Sequence, residues 1–484
     1  MNTCSFAASP AAQAPWVPWA LAAALLTLAN PASAFTKSGN VYTTNGSQTD
    51  VNGAIAAAAD GDIVMIPPGT FTWGDNGSVV GVSKAIQLVG SGQDQTTIQV
   101  SASAGSWGNA VIRLSGQAVV RDFTVRGATG SKTPFSGWGA KGWRITNINY
   151  VGVAGEGYFC YAESYGLIDN CTIQGMAGNT ELIFSRGPTD SWQTDSSMGT
   201  TDAVYIENCT FRGTGYVCDF NSNSRGVVRF CTIEGPMKVD GHGVASNYPA
   251  RGVRQLEIYN NTWTWGTNNW TNIEFRGGTG MIFANRVPNV PAGNLWFWLK
   301  EYGCTYQYSN FNNTYQTPVN YPVLDQIGVG KDPRRGGSEP LYIWDNKAKD
   351  NKDMILNWYA DLTNAINLYR VQTGNPTASF GMRDIVAADR DYFRQDSTLA
   401  FNGSSGVGMG TKAQMQAIVP SKVGVGFWVT DEGDWNTLNG STPDGQLYAW
   451  NGTAWVLKYR PLTYPHPARN SGAPSNARIR VQIN

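Results

Sequence analysis

Four segments decide how this chain reads: GLIDNCTIQG (Gly166 to Gly175), VYIENCTFRG (Val204 to Gly213), GVVRFCTIEG (Gly226 to Gly235) and LEIYNNTWTW (Leu256 to Trp265). They are variants of one phrase, with weaker copies on either side: VVRDFTVRG from Val119 and MIFANRVPN from Met281. Each copy sets β-branched or aliphatic residues around a turn-forming position, the pattern of short strands stacked coil upon coil. Registering the phrase on that position aligns Asp122, Asn147, Asn170, Asn208, Phe230, Asn260 and Asn285, which lie 25, 23, 38, 22, 30 and 25 residues apart by subtraction. A coil of three short strands and three turns needs roughly 20 to 30 residues. The longest step contains SRGPTDSWQTDSSMGT (Ser185 to Thr200), a polar stretch expected to be a loop inserted into one coil, forming a wall of a binding cleft. Stacked coils have no central pocket, so function is expected on an outer face where equivalent positions line up.

Composition agrees with a turn-rich β protein. Of 484 residues, 56 are Gly, 18 Trp and 21 Tyr, and only 14% are charged. Lys plus Arg equals Asp plus Glu at 35 each, which points away from a nucleic-acid or membrane-surface partner. The apolar run Trp19 to Ala29 is short for a bilayer, and Ala32-Ser33-Ala34 reads as a cleavage site. Residues 1–34 are therefore expected to be an export signal, with a secreted (extracellular or periplasmic) product, although no Lys or Arg precedes Lys37. Apart from Cys4, the cysteines are Cys160, Cys171, Cys209, Cys218, Cys231 and Cys304, an even number that permits disulfides. Cys171, Cys209 and Cys231 share one phrase position, which favours an inward ladder of free thiols, with Cys160 and Cys218 in a second.

VNGAIAAAADGDIVMIPPGTFTW (Val51 to Trp73) reads as a short Ala-rich helix ended by Asp60-Gly61, a strand over Asp62 to Ile66, and a turn at Pro67-Pro68-Gly69. With AIQLVGSGQDQTTIQV (Ala85 to Val100), it resembles the opening of pectate-lyase-like right-handed parallel β-helix proteins, in which a helix plugs the open end of the solenoid. The resemblance covers about Ser38 to Trp344. It implies an all-β right-handed parallel β-helix with an N-terminal capping helix over residues 35–345. That superfamily holds lyases, hydrolases, esterases, epimerases and phage tailspikes, so the fold alone does not choose an activity.

Beyond Trp344 the repeat fades. Ile355, Trp358, Tyr359, Leu362, Ile366 and Tyr369 recur at helical spacing, which predicts a helix within Asn351–Val371. Residues 346–424 are thus expected to form a helix and late-coil extension, including a strand near Ile385–Phe393. The alternation across Val425–Tyr459, with the turn pair Asn451-Gly452, predicts a Trp-rich β-hairpin in residues 425–484 that covers the last coil.

Period-two alternation in the strand one turn before each phrase predicts a working face. FCYAES, VCDFNS, MKVDGHG, NIEFRGG and LWFWLKEYG place Tyr161, Glu163, Asp219, Asn221, Lys238, Asp240, His242, Glu274, Arg276, Trp296, Trp298 and Lys300 outward. Indoles stack on sugar faces, and carboxylates bind Ca²⁺ through oxygen. The expected partner is therefore a polysaccharide, taken by a monomer. By the resemblance, β-elimination of a uronic-acid glycan would use Lys238 or Arg276 as base, with His242 or Arg251 assisting. Glu163, Asp219 and Asp240 would be calcium ligands, and Trp296, Trp298, Tyr161, Asn221, Lys300 and Glu274 would bind the chain. A cation beside the uronate stabilises the developing carbanion. Hydrolysis is the rival, with a carboxyl pair drawn from Asp219, Asp240 and Glu274. The chain lacks the Asn-Thr-Asp, Asp-Asp and Arg-Ile-Lys motifs of β-helix polygalacturonases. A non-enzymatic glycan-binding surface, as in an adhesin, is the third reading.

Overall fold

The computed structural model describes residues 34–153, 155, 157–175, 181–243, 251–264, 272–289, 295–302, 325–331, 337–361, 366–367, 370–371, 374–379 and 381–470. At 295–298, 300–302, 359–361 and 382 the description is of the backbone alone. Residues 1–33, which hold most of the expected export signal, and Cys304 lie outside the described residues.

The repeated phrase is two strands and a bend. Gly166–Asp169 and Thr172–Gln174 are followed by Glu181–Ser185, Val204–Glu207 and Thr210–Arg212 by Gly215–Phe220, and Arg225–Arg229 and Thr232–Glu234 by Met237–Gly241. Three further cycles end in Ile273–Phe275, Leu295–Tyr302 and Ile355–Asp361. The first two strands of each cycle pair in parallel with their counterparts one cycle on, within one long sheet. The third strands form a separate ten-stranded sheet, also parallel. The chain is thus predominantly β with long parallel sheets, an arrangement compatible with stacked coils.

The bend has a local cause. Asp122, Asn147, Asn170, Asn208, Phe230 and Asn260 all adopt left-handed backbone, with φ between 52° and 66°. Asp and Asn tolerate this conformation. Phe230 does not by nature, and its ring is held against Tyr464 with centroids 3.7 Å apart. In the last copy the left-handed residue is Ala284, not Asn285, so the register assigned from sequence is one residue late there.

Asn285 belongs instead to the next position, the one occupied by Cys171, Cys209 and Cys231. That position points inward. All three cysteines are buried free thiols, as are Cys160 and Cys218. In later cycles Asn261, Asn285 and Asn346 replace them. Each amide donates to a carbonyl of the preceding cycle: Asn261 to Val228 at 2.9 Å, Asn285 to Ile258 at 2.8 Å and Asn346 to Ile282 at 2.8 Å. Each side-chain oxygen accepts a backbone N–H, from Cys231, Asn261 and Asn285 respectively. A buried polar ladder is tolerated because its donors and acceptors are matched along the stack.

The helix at the first coil spans Gln48–Ala57, and Ser47 caps it by accepting from the Asp50 N–H. It buries Val51, Ala54 and Ile55 against the core. The Lys84 ammonium closes its C-terminus, donating to the carbonyls of Ile55, Ala56 and Ala58 at 3.0, 2.8 and 2.6 Å.

Two expectations for the second half are corrected. Ile355–Asp361 is a strand paired in parallel with Leu295–Tyr302, not the start of a helix. Helical backbone occurs only at 366–367 and 370–371 among the described residues of that segment. The apolar spacing suits both periods over so short a run, and an unpaired edge strand of the ten-stranded sheet decides between them. The hairpin of Gln446–Trp450 and Trp455–Tyr459 does form, inside a four-stranded sheet. Rather than covering the last coil alone, this region runs back along the flank of the long sheet. Leu462 and Thr463 accept from Arg229 at 2.6 and 3.0 Å, Tyr464 donates to Asn208 at 2.6 Å, and Arg469 reaches Glu207 at 3.1 Å.

Candidate active site

The ten-stranded sheet carries its functional side chains in rows, because parallel register stacks equivalent positions about 4.8 Å apart. One row runs Arg113, Ser136, Tyr161, Phe184, Asp219, Asp240, Glu274. Trp298 and Asn357 continue it on the backbone. Three carboxyl side chains therefore occupy neighbouring strands. Two residues further along the strands lie Glu163, Asn221, His242 and Arg276.

These residues share one row of the sheet, but that row is not exposed. Asp219, Asp240 and Glu274 are 3%, 0% and 0% exposed, and Lys238 is 7% exposed. Alternation predicts which side of a sheet a residue faces, and says nothing of what covers that side. These groups satisfy one another. Arg276 grips Asp240, with its Nε 3.2 Å from Oδ1 and its Nη2 on Oδ2, and also lies 3.4 Å from Glu274. The Lys238 ammonium pairs with Glu274 and sits 4.3 Å from the Tyr216 ring centroid. Burial opposes its charge, but Asp240 and Glu274 outweigh that and hold its pKa above the ordinary value.

Asp219 is the exception. Among the described residues its Oδ1 has no hydrogen-bond partner, and its Oδ2 receives only the Asn221 amide at 3.4 Å. Burial, then the charges of Asp240 and Glu181, push its carboxyl well above the usual carboxylate range. Glu181 is raised too, by burial and Asp240, against a hydrogen bond from Tyr158. His242 is driven down to about 4 by burial and by Arg276, so its imidazole is neutral, with Nδ1 2.9 Å from the Gly243 carbonyl. The row thus sets a carboxyl with no charged partner, its pKa raised, beside one paired with a guanidinium.

Beside the carboxyls lies an aromatic shelf. Tyr161 and Phe184 stack with centroids 5.2 Å apart at 5°. Tyr158 packs on both, at 5.8 and 5.1 Å, and Arg186 lies over both rings. Trp107 leans on Tyr161 at 6.4 Å and is 53% exposed. Only Tyr161 of this group was legible beforehand. Glu181, Tyr158, Phe184 and Trp107 sit in turns or in a strand without the repeated phrase, and the signal that finds Phe184 is its register with Tyr161.

The remaining expected residues lie elsewhere. Arg251 is held by Asp325, with Nε 2.9 and 2.8 Å from the two carboxylate oxygens, and its guanidinium lies 4.9 Å from the Trp192 ring centroid. Glu163 is half-buried on Tyr161's strand, two strands from Asp219. The side chains of Trp296, Trp298 and Lys300 lie outside the described residues. Among the described residues no group of three or more His, Cys, Asp or Glu side chains is placed to hold a metal ion. The Ser185–Thr200 loop does not wall this face. It roofs the long sheet: Trp192 donates to the Gly252 carbonyl, Arg225 to the Ser191 carbonyl, and Ser197 and Gly199 N–H groups to Gln255 and Glu257.

Fold and site together define a protein of long parallel β-sheets that carries a row of carboxyls beside an aromatic shelf. No family model matches the chain, and no curated protein matches it. Among solved structures, ORF18 of Geobacillus virus E2 is similar at 15% identity over 51% of this chain and 55% of that one, with a TM-score of 0.26. That likeness is too slight to bear on fold or function.

Proposed function

We propose that this chain is a secreted right-handed parallel β-helix of the pectate-lyase-like kind that cleaves a polysaccharide on the outer face of its ten-stranded sheet, by hydrolysis. The observation that carries this reading is the register-aligned pair Asp219 and Asp240, one carboxyl buried with its pKa raised and the other held by Arg276. Asp219 would protonate the departing glycosidic oxygen, and Asp240 would serve as base or nucleophile at the anomeric carbon. Arg276 holds Asp240 in place, and Trp107, exposed and backed by Tyr161, offers its indole to the sugar chain. Elimination is less well served: Lys238, the easier of the two expected bases to deprotonate, is tied to Glu274 and its pKa is raised.

The test is incubation of purified protein with neutral and uronic-acid polysaccharides, reading both new reducing ends and the ultraviolet absorbance of unsaturated uronides, with calcium and with chelator. Hydrolysis gives reducing ends without absorbance, and Asp219→Asn and Asp240→Asn each lower the rate by about 10²-fold or more. An absorbance rise that is lost in Lys238→Ala assigns elimination instead. Glycan bound with neither product leaves a binding protein.

A further inference from the structure

A second site lies away from this sheet, where the turn ridge of the long sheet meets the C-terminal region. A cavity of about 510 Å³ opens there between Asn260, Phe283, Arg286 and Trp344 on one side and Trp428, Trp435 and Asp444 on the other. Pockets of this size hold small ligands of sugar dimensions.

The indole N–H groups single it out. Buried tryptophans normally find an acceptor. Trp73, Trp143, Trp192, Trp263, Trp435 and Trp455 each donate to a carbonyl. Trp344 and Trp428 are 1% and 7% exposed, yet neither indole donates to any group among the described residues. Both line the cavity. Asn260, on the ridge, also has a side chain with no hydrogen bond among the described residues, although its backbone N–H donates to Phe283.

The surroundings are built and rigid. Trp344 stacks on Phe283 at 4.4 Å and 3°, and Trp428 packs on both at 5.0 Å. Asp444 fixes the opposite wall by accepting from the Asn436 N–H and the Asn439 amide, both at 2.8 Å. Arg286 is neutralised by Asp345 at 2.7 Å. One Arg against two Asp leaves no surplus positive charge for an anion. Unpaired indole donors, a free amide and apolar rings instead match a ligand with many hydroxyl oxygens and apolar C–H faces.

We infer that this cavity binds a neutral saccharide of one or two pyranose units, independently of the carboxyl row. Sugar oxygens accept from the Trp344 and Trp428 indoles, and Asn260 and Asn439 bond further hydroxyls.

The test is calorimetric titration of the full protein with glucose, galactose, N-acetylglucosamine, maltose, cellobiose and lactose, with galacturonate as the charged control. At least one neutral sugar binds saturably, and galacturonate binds more weakly. Trp428→Phe keeps the ring and removes the N–H, and lowers affinity by about tenfold. Asn439→Trp fills the mouth and abolishes binding. Melting temperatures confirm that both variants fold. Asp240→Asn leaves the affinity unchanged, which separates this site from the proposed catalytic one. Absence of saturable binding by every sugar overturns the inference, as does equal affinity in Trp428→Phe and Asn439→Trp. Binding lost only in Asp240→Asn places the sugar on the carboxyl row and overturns it too.

Discussion

Replacing Glu257 by Gln should make the protein more stable at alkaline pH and leave it little changed at acid pH. Glu257 is fully buried in the long sheet, beneath the Ser185–Thr200 loop and the C-terminal hairpin. Its Oε1 accepts the Gly199 N–H at 3.0 Å and its Oε2 accepts the Tyr459 hydroxyl at 2.6 Å. Burial pushes its pKa up from 4.5 to about 7, despite those two bonds and the charge of Arg229. Because the folded state holds the proton more tightly than the unfolded chain, the stabilising contribution is fully present below pH 4.5. It is lost as pH rises through 7. The interval from 4.5 to about 7, at roughly 1.4 kcal/mol per pH unit, amounts to about 3 kcal/mol. Glutamine keeps one acceptor, and its amide can donate to the Tyr459 hydroxyl, which turns to accept. The measurement is denaturant unfolding of both proteins at pH 5 and pH 8. Relative to the parent, Glu257→Gln should gain roughly 2 to 3 kcal/mol between those two values. A difference that is the same at both pH values would refute a buried carboxyl that ionises near neutrality.

Three further outcomes follow from buried groups. Arg229→Met takes from the buried Glu207 the guanidinium that pairs with it at 2.7 Å, leaving it only the more distant Arg469, and releases the Leu462 and Thr463 carbonyls. The expected loss is about 3–5 kcal/mol in unfolding free energy, with early proteolysis of the C-terminal region, and adding Glu207→Gln should recover part of it. Asn285→Leu breaks the amide ladder on both sides, leaving the Asn261 N–H and the Ile258 carbonyl without partners. Thermal melting should report a cost of about 2–4 kcal/mol, against a smaller effect for Asn439→Ala at the surface. Cys160, Cys171, Cys209 and Cys218, whose pKa values burial raises, should resist a thiol reagent in the native protein and react once denaturant is added. Rapid labelling of the native state would show that these ladders open.

Much of this was legible in the residues themselves. A left-handed bend favours Asn, Asp or Gly, so Asn147, Asn170 and Asn208 announce the turn of each coil, and the following position points inward whether it is Cys or Asn. Alternation in the third strand fixes which side Asp219, Asp240 and Glu274 face. These are local rules of backbone sterics and period, and a single strand obeys them without its neighbours. Depth and pairing are not local. Arg276 meets Asp240 from 36 residues away, and Glu257 is buried by Tyr459 from 202 residues away. The same limit explains Ile355–Asp361: its spacing admits helix and strand, and the open edge of the Leu295–Tyr302 strand chooses. The repeat, its bends and the sidedness of its strands are thus written in the residues. Which charges lose their water, which carboxyl has its pKa raised, and that the C-terminal region lies along the flank come from the folded arrangement, because burial and charge pairing depend on segments the chain brings together from far apart.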